Sequence, residues 1–260
     1  MLKSYFIDGD KGGVGKSLFT RAFVHYYMTL PKDKRPSLMV VDADLSNPDV
    51  CGKDGLAPGG LVLAADLFDL SREIGWIELA NRIAKVMNSS QEIRLLVNLP
   101  AQIGPRAFDG ALAIASEVLR DTNAIPVWLL NRSKDCVTAL EFRHRALPHR
   151  YAVGAIVKNT YFGAAEKFWR WDSSALRKGI VREDGGGWIE TALPELNDEL
   201  TDAIGRRPFH EVYAQGLDGK PLPYGYKLAL DAWFRAAAKQ FARIEALAPS
   251  QDDADEDNEE

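Results

Sequence analysis

The chain contains five short apolar runs, bounded mostly by glycine, proline or charged residues, that predict buried β-strands. They cover residues 2–8, 38–41, 93–99, 125–130 and 151–157. The runs are continuous and do not alternate between apolar and polar positions, which is typical of strands whose two sheet faces are both covered. Such a sheet needs packing elements on each side.

The segments around these runs predict the covering helices. Helices are expected over residues 16–30, 71–87, 107–119, 197–205 and 226–247, and loops over residues 185–187 and 216–226. Strands that alternate with helices of about ten or more residues indicate crossover connections and parallel pairing. The expected fold class is therefore α/β, a doubly wound, mostly parallel sheet flanked by helices.

The last predicted helix has an apolar face and a separate basic row. Its apolar positions are Leu230, Trp233, Phe234, Ala237, Phe241 and Ile244. This spacing predicts packing on the core, and the alternative is a helix lying on a membrane surface. Arg235, Lys239 and Arg243 form the basic row, which predicts either a solvated face or contacts with DNA phosphates.

The formal net charge of −5 comes from the end of the chain. The last ten residues carry seven acids and no base, and the remainder holds 32 basic and 30 acidic residues. We expect one domain over residues 1–249 and an acidic, disordered tail over residues 250–260. The tail argues against binding to a membrane, because anionic lipid would repel it.

Cysteine usage and hydropathy indicate the compartment. Cys51 and Cys136 lie far apart and show neither a disulfide framework nor zinc spacing. The first apolar run is too short for a signal peptide, and no segment approaches the ~20 apolar residues of a membrane span. These features predict a cytoplasmic protein with no membrane partner.

One glycine-rich segment carries the strongest chemical signal. It reads Lys11-Gly12-Gly13-Val14-Gly15-Lys16-Ser17 and lies between a predicted strand and a predicted helix. Glycines let backbone N–H groups wrap around phosphate, and the helix N-terminus adds partial positive charge. We expect Lys16 to reach the β- and γ-phosphates and Ser17 to ligate Mg²⁺. The strict motif has glycine where this chain has Asp10.

This segment resembles the deviant Walker A motif of ParA/MinD-type ATPases. The resemblance implies a P-loop NTPase fold, ATP and Mg²⁺ as cofactors, and an ATP-sandwich homodimer in which Lys11 contacts the partner's phosphates. Val41-Asp42-Ala43-Asp44 resembles the family's Asp-x-Asp segment. The resemblance then implies that Asp44 orients the attacking water and that Asp42 supports Mg²⁺.

Two weaker matches concern the adenine side, and one position departs from the family. Asn159 and Pro194 are similar to residues that flank adenine. Asn98 stands where the family normally ends its third core strand with Asp. An amide can hold a Mg²⁺-bound water but adds no negative charge, so we expect weaker metal binding or slower hydrolysis. Alternatively, Asn98 only caps the strand's exit.

The other clusters of charged and aromatic residues can each be interpreted either as a structural feature or as a functional site. The stretch 167–171, Lys-Phe-Trp-Arg-Trp, predicts either an amphipathic helix with buried aromatics or a stacking surface for single-stranded nucleic acid. Arg143, Arg145 and Arg150 form a second basic cluster, either solvated or part of a nucleic-acid surface. The four histidines show no metal spacing.

The resemblance implies an ATP-dependent dimerisation switch with slow hydrolysis. Its cargo would be DNA, bound non-specifically, or a DNA-bound adaptor protein, as in plasmid partitioning or conjugative mobilisation. The alternatives are a MinD-like positioning ATPase on a membrane and a nucleotide-binding scaffold with little turnover. A reductase similar to the nitrogenase iron protein would need two cysteines facing the dimer seam, and Cys51 follows the Asp-x-Asp segment too closely to match.

Overall fold

A computed structural model describes residues 2–9, 11–87, 91–101, 112–146, 152–182, 187–217 and 219–248. Within these ranges the chain forms seven strands and nine α-helices. The strands are β1 Leu2–Asp8, β2 Ser37–Asp42, β3 Val62–Leu67, β4 Ile93–Asn98, β5 Ala124–Leu130, β6 Gly154–Asn159 and β7 Trp188–Leu193. The helices are α1 Lys16–Thr29, α2 Glu73–Met87, α3 Leu112–Asp121, α4 Lys134–Ala146, α5 Trp169–Asp172, α6 Ala175–Ile180, α7 Asp198–Ile204, α8 Phe209–Gln215 and α9 Tyr224–Glu245.

The described strands form one sheet in the order β3-β2-β4-β1-β5-β6-β7, and every neighbouring pair is parallel. All strands therefore end at the same edge, which we call the carboxyl edge. The register places Asn98 beside Ile7 on one side and Asp42 on the other. The predicted doubly wound α/β fold is confirmed.

Each face of the sheet carries its own hydrophobic core, as the continuous apolar runs predicted. On one face, the ring of Phe23 from α1 stacks on Phe241 of α9 at a centroid distance of 5.0 Å. On the other face, Phe6 stacks on Trp76 of α2 at 6.1 Å. The predicted apolar face of α9 is confirmed, since all six of its members are buried.

The two edge strands, β3 and β7, are missing from the sequence prediction. Both mix buried positions with partly exposed ones, because an edge strand has a neighbour on one side only. The apolar run of β7 is interrupted, as in Trp188-Ile189-Glu190-Thr191, whereas β3 contains an unbroken apolar run over residues 62–65. Helices α4, α6 and α8 were also not predicted, and α4 has charged residues near both of its ends.

Several boundaries differ from the prediction. The fifth predicted strand begins at Gly154, three residues later than expected, and α9 begins at Tyr224, inside the expected loop 216–226. The described part of the predicted helix 107–119 is α3. Residues 107–111, 185–186 and the expected tail 250–260 lie outside the described residues.

The last residue of α9, Glu245, joins this helix to the central strands. Its carboxylate accepts hydrogen bonds of 2.5 Å from the hydroxyls of Tyr5 and Tyr27 and one of 2.9 Å from Arg94 Nε. Burial, with a further contribution from Glu245, raises the pKa of both tyrosines, so they remain neutral donors. This carboxylate, whose side chain is 22% exposed, therefore links α9 to β1, α1 and β4.

We predict that Glu245→Ala lowers the free energy of unfolding by about 3 kcal/mol, because it leaves a largely buried Arg94 without its main carboxylate partner. Glu245→Gln should cost less, since the amide oxygen still accepts a tyrosine proton. Glu92 is the matched control, because it also pairs with Arg94 but is 62% exposed. Glu92→Ala should change stability by less than about 1 kcal/mol in urea unfolding. Equal losses for Glu245→Ala and Glu92→Ala would contradict the interpretation of Glu245 as the link between α9 and the central strands.

Candidate nucleotide site

The loop between β1 and α1 requires glycine at two positions. Gly13 and Gly15 have φ angles of +77° and +100°, in the left-handed region that side chains rarely adopt. At Gly15 a Cβ atom would also lie 2.6 Å from the Asn159 side-chain nitrogen. Two of the three motif glycines, Gly13 and Gly15, are therefore needed by the backbone itself.

Some of the remaining loop residues are buried in the protein, and others face open space. The Val14 side chain is 1% exposed and belongs to the core, whereas Gly12 and Gly13 are exposed and a Cβ atom at either would meet nothing within 4 Å. Lys16 is buried at the first residue of α1, and Ser17 beside it is half-buried. The loop thus combines open space with a buried cation at the N-terminus of a 14-residue helix, an arrangement that favours anions.

The two residues expected on the adenine side lie at the ends of neighbouring strands. The Asn159 amide nitrogen donates to the Val14 carbonyl at 2.9 Å, and its oxygen accepts from the Tyr161 backbone N–H at 3.1 Å. Pro194 follows β7, and its carbonyl accepts a 2.7 Å hydrogen bond from Trp233 of α9. Asn159 therefore holds the phosphate loop directly, and an adenine-side role for both residues stays a prediction.

Asp42 is fully buried at the end of β2 and accepts four hydrogen bonds. Its Oδ2 accepts from the backbone N–H groups of Val50 and Cys51, at 2.8 and 3.3 Å. Its Oδ1 accepts from the Asp44 N–H at 3.2 Å and from the Asn98 amide at 2.9 Å. A carboxylate has about four acceptor sites, so protein donors occupy those of Asp42.

The other side of the Asn98 amide fits a metal-bound water. Asn98 is 1% exposed, and its Oδ1 has no hydrogen-bond partner among the described residues. An unsatisfied buried oxygen is costly and calls for a donor. Burial raises the pKa of Asp42, and its hydrogen bonds, with that from Asn98 foremost, oppose the rise. Asp42 thus holds the Asn98 amide in place, and the metal roles expected for Ser17, Asp42 and Asn98 stay predictions.

Asp44 lies half-buried in the turn that follows β2. Its Oδ1 accepts hydrogen bonds from the Ser46 hydroxyl at 2.6 Å and the Asn47 N–H at 3.2 Å. The side chain is thereby fixed at the carboxyl edge, two residues beyond Asp42. The structure brings Asp42, Asp44 and Asn98 together at the carboxyl edge, and the catalytic role of Asp44 stays a prediction.

Lys11 makes an ion pair within its own chain. Its Nζ lies 2.7 Å from Asp135 Oδ2, and both side chains are substantially exposed. This pairing lowers the pKa of Asp135, through the hydrogen bond first and the charge second. Asp135 belongs to the first turn of α4 and was missed because α4 itself was not predicted.

Arg143 of α4 is not on the surface, where it was expected from the sequence. Arg143 is neither solvated nor part of a nucleic-acid surface, because it is 3% exposed and its Nη2 lies 3.3 Å from Asp8 Oδ2. The Asp8 Oδ1 accepts from the Gly9 N–H at 2.7 Å. This buried ion pair therefore fixes the point where β1 enters the loop. Arg145 is exposed, and Arg150 lies outside the described residues.

Other expected or alternative sites receive no support from the described residues. Nowhere in the described ranges do three His, Cys, Asp or Glu side chains gather as a metal site. No helix in those ranges has the length and apolarity to cross a membrane. Cys51 and Cys136 are both free thiols, half-buried and buried respectively.

The geometry can be compared with solved structures. MinD of Pyrococcus horikoshii OT3, in a complex with Mg-ADP, superposes with a TM-score of 0.52 at 15% identity, over 95% of this chain and 98% of that one. The MinC:MinD cell division complex of Aquifex aeolicus gives 0.50 at 16% identity, over 95% and 97%. These likenesses establish the fold.

The sequence comparison gives the family. No protein-family model matches the chain. Protein MobD of Acidithiobacillus ferrooxidans is 30% identical over 245 residues, which cover 92% of this chain and 96% of MobD. The chain therefore belongs to the MobD family and has the fold of the MinD/ParA-type P-loop ATPases.

Proposed function

We propose that this protein is a slow ATPase that dimerises when it binds ATP and Mg²⁺, works in the cytoplasm, and acts on DNA or a DNA-bound adaptor protein. The single observation that carries the proposal is the loop 11–17, with two left-handed glycines and a buried Lys16 at the start of α1. The similar MinD from Pyrococcus horikoshii was solved with Mg-ADP, which supports the choice of ligand.

The residues of the candidate site have different proposed roles, which follow from their chemical groups. The loop backbone and Lys16 would hold the phosphates, and Ser17 with the Asn98 oxygen would hold the metal or its water shell. The metal, when bound, neutralises charge that builds on the β- and γ-phosphate oxygens. Asp44 would then orient the attacking water from its fixed position in the turn. Asp42 would keep Asn98 in place.

The dimerisation switch would use Lys11. In the single chain this lysine is held by Asp135, and in the dimer it would exchange that carboxylate for the phosphates of the partner's ATP. An exposed ion pair contributes little, so the exchange costs little. Hydrolysis removes the γ-phosphate contacts and would release the two subunits.

Asn98 supports a second candidate, a nucleotide-binding scaffold with little turnover. Its amide adds no charge to the metal site, and its nitrogen is engaged with Asp42. A membrane-positioning role would use the apolar face of α9, and that face is buried against the core.

The outer face of α9 supports contact with DNA. Arg235, Lys239 and Arg243 are all exposed, opposite the buried apolar positions. A dimer would present six such charges, enough for cooperative contact with phosphates. Binding would be independent of sequence and would require ATP, because one subunit presents too few charges.

For the loop, we expect Lys16→Ala to weaken ATP binding roughly 10- to 100-fold, the usual effect of losing a charged hydrogen bond. Calorimetry measures this change in affinity.

For the dimer, Lys11→Ala should retain ATP binding by the single chain but form no ATP-dependent dimer. Asp135→Ala should tighten dimerisation several-fold, because Lys11 is no longer held in its own chain. Light scattering measures dimer formation by both variants. Normal dimerisation of Lys11→Ala would rule out the sandwich arrangement.

For the metal site, we predict that Asn98→Asp lowers the Mg²⁺ concentration for half-maximal phosphate release and raises the rate. Without nucleotide, the same change should make the free energy of unfolding depend more steeply on pH than it does in the parent. Asp42 and the new carboxylate would share a proton at a raised pKa, whereas the unfolded chain releases it near the ordinary value of about 4. Stability should therefore fall as pH rises above about 4, by roughly 1.4 kcal/mol per pH unit while the proton is held.

The control for this experiment is Asn98→Ala, which removes the donor to Asp42 without adding a carboxylate. Loss of the Asn98 hydrogen bond also raises the pKa of Asp42, so this variant should lose stability and show a fall of stability with rising pH that is shallower than that of Asn98→Asp. Urea unfolding at several pH values tests both variants. If Asn98→Asp shows the parent's pH profile of stability and the parent's Mg²⁺ dependence of phosphate release, Asn98 only caps the end of its strand. The result would then favour the nucleotide-binding scaffold over the ATPase switch.

For DNA, we expect the triple change of Arg235, Lys239 and Arg243 to Ala to weaken ATP-dependent binding. The slope of log affinity against log salt should fall by about 5, since each phosphate contact adds ~0.9 and a dimer loses six. A control variant replaces three exposed cations elsewhere, Lys34, Arg72 and Lys85. Gel retardation across a salt series compares the triple α9 variant with the control variant. If both variants retard DNA equally, the basic row of α9 does not contact DNA.

A further inference from the structure

One tryptophan of this chain is placed differently from the other five. Trp76, Trp128, Trp171, Trp188 and Trp233 are each 6% exposed or less. Trp169, in contrast, is 59% exposed. A large aromatic side chain held out in solvent is often part of a binding surface.

The local structure forces Trp169 outward. Phe168 and Trp171, three residues apart, share one side of the helical turn and are each 1% exposed. The Trp171 indole N–H donates to Glu190 at 2.5 Å, and Asp172 accepts from Lys158 of β6 at 2.5 Å. The segment is thus fixed to the sheet, and the position between these anchors must face solvent.

Three cations surround the exposed indole. The Arg170 guanidinium lies 4.5 Å from the Trp169 ring centroid, and Arg170 also donates to the Arg132 carbonyl at 3.1 Å. Arg132 and Lys167 are exposed, and neither forms an ion pair with any described residue. With Glu166, these residues line an open cavity of about 600 Å³, which we call the Trp169 platform.

We propose that the Trp169 platform binds single-stranded nucleic acid by stacking a base on the indole and placing phosphates on Arg132 and Lys167. The lining carries three cations against one acid, which favours a polyanion. A flat aromatic side chain beside a guanidinium group can stack on an unpaired base. Bases in a duplex are already stacked on each other and cannot stack on the indole, so the platform favours a single strand. This site is separate from the duplex-binding face proposed on α9.

The platform also has a suitable place in the fold. Arg132 follows the carboxyl end of β5, and the segment that carries Trp169 follows β6. Both therefore lie at the carboxyl edge, on the side of the sheet beyond the phosphate loop.

The experiment titrates the full chain with a 20-nucleotide oligo(dT), without added nucleotide. Trp169 is the one exposed tryptophan among six, so stacking should quench intrinsic fluorescence, and acrylamide should quench the bound protein less. A labelled oligo(dT) gives the affinity by anisotropy. Trp169→Ala should bind about tenfold more weakly, and Trp169→Phe should retain most of the affinity because its ring still stacks.

Two further variants separate the alternatives. Tyr224→Ala removes another exposed aromatic, 76% exposed on α9, and should bind as the parent does. The double change Arg132→Ala and Lys167→Ala should flatten the salt slope by about 1.4, since each contact with a single strand adds ~0.7. Unaltered oligo(dT) binding by Trp169→Ala would overturn the proposal. Equal quenching by poly-glutamate would also overturn it, because the platform would then recognise acidic chains in general.

Discussion

The buried carboxylate of Asp42 is the interaction on which the carboxyl edge depends. It is fully removed from solvent and accepts four hydrogen bonds, three from backbone N–H groups that follow β2 and one from Asn98 of β4. Burying a charge without partners is very costly, so these four donors must stay in place. The carboxylate therefore fixes the turn that carries Asp44 and the orientation of the Asn98 amide together.

The phosphate loop is constrained from both of its ends in a comparable way. At its start, the buried pair of Asp8 and Arg143 fixes the exit from β1. At its end, Asn159 holds the Val14 carbonyl and fills the space that a side chain at Gly15 would need. A loop held at both ends retains its shape before any ligand arrives, and preorganised donors lower the cost of binding an anion.

The sequence predicted the centre of the sheet and the loop, because both leave direct patterns. Central strands read as mostly apolar runs, with Lys3 and Ser4 in β1 and Arg94 in β4 as exceptions, and the loop reads as glycines before Lys-Ser. Edge strand β7 could not be found this way, since its pattern of buried and partly exposed residues resembles a loop segment. Arg143 in α4 was misjudged for another reason. A buried arginine and a solvated one look alike in sequence, and only the neighbouring Asp8 distinguishes them.

Helix α4 carries two ion pairs that differ in how readily they can exchange partners. Arg143 and Asp8 are both nearly buried, and separating them would leave an uncompensated charge inside the protein. Lys11 and Asp135 are exposed, so water can solvate either group when they separate. The buried pair therefore suits a fixed support for the loop. The exposed pair suits the proposed switch, in which Lys11 leaves its own chain for the phosphates of a partner while the loop behind it stays still.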